Sequence, residues 1–229
     1  MNLLLLSNSR NPDSGYLEHA RPWLQEALGG CRTIAFVPFA AVRLSFDDYA
    51  DLVQQGMGDG VEVRSVHRGN PADVVATCDA VAVGGGNTFH LLDHLYRHGL
   101  LEAIRSAVAA GKPYVGWSAG SNVACPTMRT TNDMPIVQPP SLDALDLVPY
   151  QINPHYLDAH PDHHMGETRE ERLLEFEQAN PGRMVIGLRE GSAVRVSGDH
   201  VLLGSRTARI FGVAAEPFEM DPGPIAVPA

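Results

Sequence analysis

Tyr114-Val115-Gly116-Trp117-Ser118-Ala119-Gly120 decides how this chain is read. Its first four residues form a short apolar run of the kind buried on both faces of a parallel sheet. The remainder is a G-x-S-x-G turn leading into an apolar stretch able to begin a helix. Strand, sharp turn and helix together are the setting of a nucleophile elbow, in which the serine occupies a strained backbone conformation and exposes its Oγ. Small flanking residues make room for such a turn. An ordinary glycine-rich strand-to-helix turn has the same composition, so the surrounding sequence must separate the two.

Outward from the elbow, Leu3 to Leu6, Thr33 to Phe39, Val61 to Val66 and Ala80 to Val83 repeat the short apolar style of Tyr114 to Trp117. Between them, Leu17 to Leu28, Phe46 to Met57, Leu91 to Leu101 and Ile104 to Ala110 show helical periodicity. This alternation predicts an α/β fold with a doubly wound, mostly parallel sheet, flavodoxin-like, whose ligands gather at the carboxyl ends of the strands. After about residue 130 prolines 135, 139, 140, 149 and 154 interrupt the rhythm, and a polar helix resumes near Glu167 to Ala179. Met184 to Leu188 reads as a strand. Val194 to Val196 and Val201 to Leu203 flank a Gly198-Asp199 turn, which predicts an antiparallel edge hairpin. No linker divides the chain, so a single domain over 1–229 is expected, ending in a loosely packed, proline-rich tail of about fifteen residues.

A second glycine loop, Gly84-Gly85-Gly86-Asn87, follows one predicted strand and opens the next helix. Its backbone N–H groups suit an anion, and the helix behind it adds partial positive charge. The loop lacks both G-x-G-x-x-G and the Walker lysine, which favours acyl chemistry over nucleotide binding. Gly85 or Gly86, together with Ala119 just after the serine, are therefore the expected oxyanion donors.

A serine nucleophile needs a base and a carboxylate that orients it. His90, His94 and His98 share one helical face, without a carboxylate pattern, and are expected to be solvated. His155 follows the strand-like Leu147 to Ile152 and the rigidifying Pro154, so its ring can be aimed from the end of an element. Asp133 and Glu190 are the candidate acids. The chain order Ser118, Asp133, His155 matches that of α/β-hydrolases, but the stretch from 118 to 133 is too short for the strand-helix unit that delivers the acid there. Glu190 lies just past a strand end, which favours it. Asp133 would then be available to a substrate amino group.

Composition bounds the partners. The 229 residues are 44% apolar and 19% charged, within the globular range, so disorder and fibre are excluded. A formal charge of -10 with no basic run makes nucleic acid an unexpected partner. Cys31, Cys78 and Cys125, odd in number and without C-x-x-C spacing, argue against disulfides and a zinc knuckle. The four-residue apolar start has no basic flank, too little for a signal peptide or a membrane span, so a cytoplasmic location is expected.

The sequence also resembles the peptidase E family: cytoplasmic α-aspartyl dipeptidases of the serine type whose fold is that of class I glutamine amidotransferases. The resemblance is carried by Leu3-Leu-Leu-Leu-Ser-Asn-Ser9, Val83-Gly-Gly-Gly-Asn-Thr-Phe89, Gly116-Trp-Ser-Ala-Gly120, Cys125-Pro-Thr127, Arg129-Thr-Thr-Asn-Asp-Met-Pro-Ile-Val137, Leu142-Asp-Ala-Leu-Asp-Leu147, Gln151-Ile-Asn-Pro-His155 and Gly166-Glu-Thr-Arg169. It implies hydrolysis of small Asp-Xaa peptides without a cofactor, with Ser118 as nucleophile, His155 as base and Asp133 or Glu190 as acid. Ser121, where alanine is expected, and the proline-rich carboxyl terminus depart from the family pattern.

An acidic chain must still attract an aspartyl carboxylate, so a local cation is required. Arg169 is the expected clamp and Arg129 its alternative, with Asn87 and Thr131 as further substrate contacts. A monomer or homodimer is expected. Three other readings compete: a cyanophycinase-like enzyme of the same family acting on β-linked aspartyl-arginine, a metallohydrolase using Asp158, His160, Asp162, His163 and His164, and a binding module without catalysis.

Overall fold

The computed structural model describes residues 1–158 and 165–227. In chain order its elements are β1 (Asn2–Leu6), α1 (Arg21–Ala27), β2 (Thr33–Val37), α2 (Phe46–Met57), β3 (Glu62–Ser65), α3 (Pro71–Thr77), β4 (Ala80–Val83), α4 (Thr88–Arg97), α5 (Leu100–Ala109), β5 (Tyr114–Trp117) and α6 (Ala119–Asn122). The second half adds β6 (Gln151–Pro154), α7 (Arg169–Ala179), β7 (Val185–Leu188), β8 (Ala193–Ser197), β9 (Asp199–Leu203), β10 (Ala208–Phe211), β11 (Phe218–Met220) and β12 (Gly223–Pro224).

One sheet has the order β12-β9-β8-β1-β5-β4-β2-β3. Its five strands from β1 to β3 run parallel, and β8, β9 and β12 add an antiparallel flank. The short apolar runs of β1, β2, β4 and β5 are strands buried on both faces, whereas the edge strand β3 exposes Glu62 and Arg64. In β1, Leu3 and Leu5 enter one core, which contains the apolar faces of α3, α4 and α5; Leu4 and Leu6 enter the other, beneath α1 and α2. The mostly parallel α/β architecture with an antiparallel edge is therefore present.

A second, four-stranded sheet has the order β11-β10-β7-β6. The sequence reading has no counterpart for it. Its Ile152, Ile186 and Ile210 share a core with Leu3 and Leu5, so it packs against the flank that carries β1. The strand expected from Leu147 begins only at Gln151, just beyond Pro149, which cannot donate to a ladder. The tail is a further correction. Gly223 and Pro224 pair with β9, and the N–H of Ile225 bonds to the His200 carbonyl at 2.8 Å.

Helix boundaries also shift for physical reasons. Gly99, left-handed at φ 63, separates α4 from α5 ahead of the expected break. Helix α3, which lacks a clear periodic signal, starts at Pro71 and is capped by the Asn70 side chain. The histidines of α4 are not simply solvated: His90 Nδ1 lies 2.6 Å from the Phe39 carbonyl, and His94 stacks on Phe39 at 4.7 Å. No described helix is long and apolar enough to cross a membrane.

Candidate active site

The carboxyl ends of β1, β4 and β5, with the end of β6, open into a cavity of about 560 Å³. Ser118 follows β5 directly and takes φ 53 and ψ −114, a conformation that L-residues rarely occupy. The turn is possible because Gly120 passes against β4, where any Cβ would collide with the Val83 carbonyl. Ser121, the residue that departs from the family pattern, is buried and bonds to the Leu6 and Gly116 carbonyls at 2.6 and 2.9 Å, joining the start of α6 to β1 and β5. The elbow is thus fixed by sterics and by backbone acceptors on both sides.

His155, the residue after β6, also has positive φ, at 52. Its Nε2 lies 3.0 Å from Ser118 Oγ, and its Nδ1 lies 2.6 Å from Glu190 Oε1. Both partners of the ring are therefore in place, and Nδ1 beside a carboxylate leaves Nε2 free to accept the serine proton. Glu190 sits two residues beyond β7, the parallel neighbour of β6, so sheet pairing brings acid and base together.

Polar residues at the end of β1 tie this arrangement to the large sheet. The Ser7 hydroxyl accepts from the His155 N–H at 2.9 Å and donates to the Leu188 carbonyl at 2.8 Å. Asn8 Oδ1 accepts from the Gly191 N–H at 2.8 Å. The sequence reading missed both roles, although two polar residues closing an all-leucine strand were the available signal.

The other expected site residues divide. Asp133 does not meet His155. Its Oδ2 accepts from the Thr88 N–H at 2.7 Å, the Thr88 hydroxyl at 2.6 Å and the Thr131 hydroxyl at 3.1 Å, on the wall of the cavity. Of the two candidate acids, Glu190, the one favoured from its place past a strand end, is the one that reaches the His155 ring. Thr131 lines the cavity, but its hydroxyl is spent on Thr88 and Asp133. Asn87 is not a cavity residue: it caps α4, accepting from the His90 N–H and donating to the Met134 carbonyl.

Arg129 is likewise misplaced as a clamp. Its guanidinium stacks over Phe176 at 5.4 Å and bonds to Thr127. Arg169, the first residue of α7, does line the cavity. Its Nη1 is buried without a hydrogen-bond partner among the described residues, and burial lowers its pKa, as expected for a cation short of a counter-ion. The Gly85, Gly86 and Ala119 N–H groups border the same cavity and have no acceptor among the described residues.

Of the cluster proposed as a metal site, His160, Asp162, His163 and His164 lie outside the described residues. Asp158 is engaged otherwise, its carboxylate gripped by Arg189 at 2.8 and 2.5 Å. Among the described residues no group of three or more His, Cys, Asp or Glu is arranged to hold a metal ion.

Comparison with known proteins is consistent with this geometry. Residues 3–204 match Peptidase family S51. The chain is 50% identical over 212 residues to "Peptidase E" of Haemophilus influenzae, covering 91% of this chain and 96% of that one. It is 52% identical over 227 residues to "Peptidase E" of Streptomyces coelicolor, covering 97% and 92%. Among solved structures, a putative Peptidase E protein from Listeria monocytogenes superposes with a TM-score of 0.64 at 25% identity, covering 89% of this chain and 98% of that one. A peptidase from an acI-B1 Actinobacterium gives 0.63 at 19% identity over 96% of each, a likeness of fold.

Proposed function

The chain belongs to peptidase family S51, and from its membership we propose that this peptidase is a serine-type dipeptidase that cleaves Asp-Xaa through an acyl-enzyme on Ser118. The observation that carries the reading is the continuous contact from Glu190 Oε1 through the His155 ring to the Oγ of Ser118, the residue held at φ 53. His155 Nε2 takes the hydroxyl proton as Oγ attacks the peptide carbonyl. Glu190 holds the ring's orientation and favours the imidazolium that forms. Charge developing on the carbonyl oxygen meets the free N–H groups of Gly86 or Gly85 and of Ala119. Collapse of the tetrahedral intermediate breaks the C–N bond, and His155 returns its proton to the leaving amine. Water then attacks the acyl-serine by the same route, freeing aspartate.

Substrate choice follows from the two charges on the cavity wall. The guanidinium Nη1 of Arg169, without a partner among the described residues, suits the aspartyl β-carboxylate, a charge-assisted bond worth about 1.5–3 kcal/mol. The Asp133 carboxylate suits the free α-ammonium of the same residue. A cavity of about 560 Å³ is of a size that holds a small ligand.

Turnover of Asp-Leu beside Asn-Leu, Glu-Leu, β-Asp-Leu and Asp-Leu-Leu tests linkage, side chain and length together. Asp-Leu is expected to be far the best substrate. Ser118→Ala should lower kcat by about four or more orders of magnitude while Asp-Leu still binds. Preference for β-Asp-Leu would transfer the enzyme to the cyanophycinase-like reading. Turnover by Ser118→Ala that a chelator abolishes would transfer it to the metal reading.

A further inference from the structure

Three polar aromatic side chains meet behind the Gly84–Gly86 loop. Tyr49, from α2, is 5% exposed, and its hydroxyl oxygen lies 3.0 Å from the Gly85 carbonyl oxygen, 3.1 Å from Trp117 Nε1 and 3.1 Å from the Tyr16 hydroxyl. The protons of this cluster have one arrangement. A carbonyl can only accept and an indole N–H can only donate, so Tyr49 gives its single proton to Gly85 and accepts from Trp117. Tyr16 must then donate to the remaining lone pair of Tyr49. Burial raises the pKa of both phenols, which keeps them protonated as donors.

We propose that Tyr49 is a positioning residue for the oxyanion hole, its hydroxyl anchoring the Gly85 carbonyl and thereby aiming the Gly86 N–H at the oxygen on which charge develops. The inference rests on the acyl-enzyme reading above. The Gly85 carbonyl and the Gly86 N–H belong to one planar, trans peptide group and point in opposite directions. Fixing the first therefore fixes the second.

The loop needs such an anchor because three successive glycines leave its peptide planes free to rotate. Its flanks are held by the Gly84 N–H on the Val37 carbonyl at 3.1 Å and the Asn87 N–H on the Ala40 carbonyl at 2.8 Å. Of the two peptide planes between those ties, Tyr49 holds the second, whose N–H has no acceptor among the described residues. Gly86 stands at φ 139, where a Cβ would collide with the Ala40 carbonyl, so no side chain can do this work from within the loop. A hydrogen bond at the carbonyl also polarises the peptide and strengthens its N–H as a donor.

Tyr49→Phe keeps the ring and removes the anchor. In the full-length protein kcat for Asp-Leu should fall about 10- to 100-fold, less than the loss of a whole oxyanion donor, with KM within about twofold. Inhibition by an aspartyl aldehyde, which forms a tetrahedral adduct with the serine, should weaken by the same factor, while inhibition by the product aspartate stays put. Thermal melting supplies the folded fraction for normalisation. Parental kcat, a loss that follows the folded fraction, or a rise in KM at constant kcat would each overturn the role of Tyr49. Ser118→Ala, measured alongside, separates the two readings: if it still turns over, the acyl-enzyme reading has failed first. Should Tyr49→Phe not fold, a fluorinated tyrosine encoded at position 49 retains shape and hydroxyl but ionises at lower pH. It should add an alkaline limb to kcat, and an unchanged pH profile overturns the proposal.

Discussion

Ser118 and His155 both occupy the left-handed side of backbone space, at φ 53 and 52, but the chain holds them there by different means. Ser118 is fixed locally: a strand, a glycine pressed against the neighbouring strand and the first turn of α6 leave the backbone no other course. His155 is fixed from a distance. It ends a strand of the second sheet, and its N–H reaches back to Ser7 on the first. Glu190 depends on the same junction, since the next N–H in the chain is held by Asn8. Ser118 and His155 therefore belong to separately built halves that meet across a polar seam, and damage should differ accordingly: all-or-none on the serine side, graded on the histidine side.

Five changes probe that contrast. Gly120→Val should have the largest effect, because its side chain meets backbone that cannot move aside. Loss of soluble protein, or of fluorophosphonate labelling at Ser118, is expected, and a folded, active Gly120→Val protein would break the claim of steric control. Glu190→Gln should fold normally and lower kcat by about two to three orders of magnitude, the scale of general acid–base assistance. Asp133→Asn should instead act mainly through KM, and kinetics on Asp-Leu that reverse this pattern would return the orienting role to Asp133.

Ser7→Ala leaves a buried N–H and a carbonyl without their partner, a cost of about 1–3 kcal/mol in stability. Expected is a lower melting temperature with kcat reduced about tenfold, since the ring loses its alignment but not its chemistry. If kcat per folded molecule is unaltered, the seam serves stability alone. The smallest effect concerns Arg189, buried between Asp158 and Glu219 and stacked 5.3 Å over Tyr156. Its guanidinium holds both carboxyls below their usual range, Asp158 chiefly by hydrogen bonding to Arg189 and Glu219 likewise.

A depressed carboxyl pKa stabilises the fold above the unfolded value and loses that contribution as pH falls through the folded one. Acid melts from about pH 5 to about pH 3 should thus show a loss near 1 kcal/mol, small because both carboxylates are well exposed. Arg189→Met should lower stability at neutral pH and flatten that acid slope; an unchanged slope would detach the network from folding.

The same division sets what could be read in the chain beforehand. The leucine run of β1 and the G-x-S-x-G turn after β5 are local patterns, and both β1 and the strand-elbow-helix of β5 and α6 stand where the sequence put them. Asp133 illustrates the opposite case. Nothing near it in sequence announces that the opening of α4, from Thr88, will claim its carboxylate across 45 positions. Two strands of the second sheet were legible, Met184 to Leu188 and the stretch ending at Ile152, but their pairing with each other and with β10 and β11 joins segments scattered over 151–220 and has no local signature. Glu190 was legible as a candidate because it stood just past a strand. The pairing of β7 with β6, which delivers it to His155, is a tertiary fact without a sequence signature.

The short β12 has a consequence beyond the site. It caps one end of the eight-stranded sheet with Pro224, a residue with no N–H to offer an incoming chain. At the other end β3 presents Glu62 and Arg64, exposed and locked in an ion pair. A stray strand from a neighbouring molecule finds neither rim receptive, which protects a leucine- and valine-rich sheet from the edge-to-edge growth that seeds aggregates. At high concentration this favours solubility over growth along the rims of this sheet.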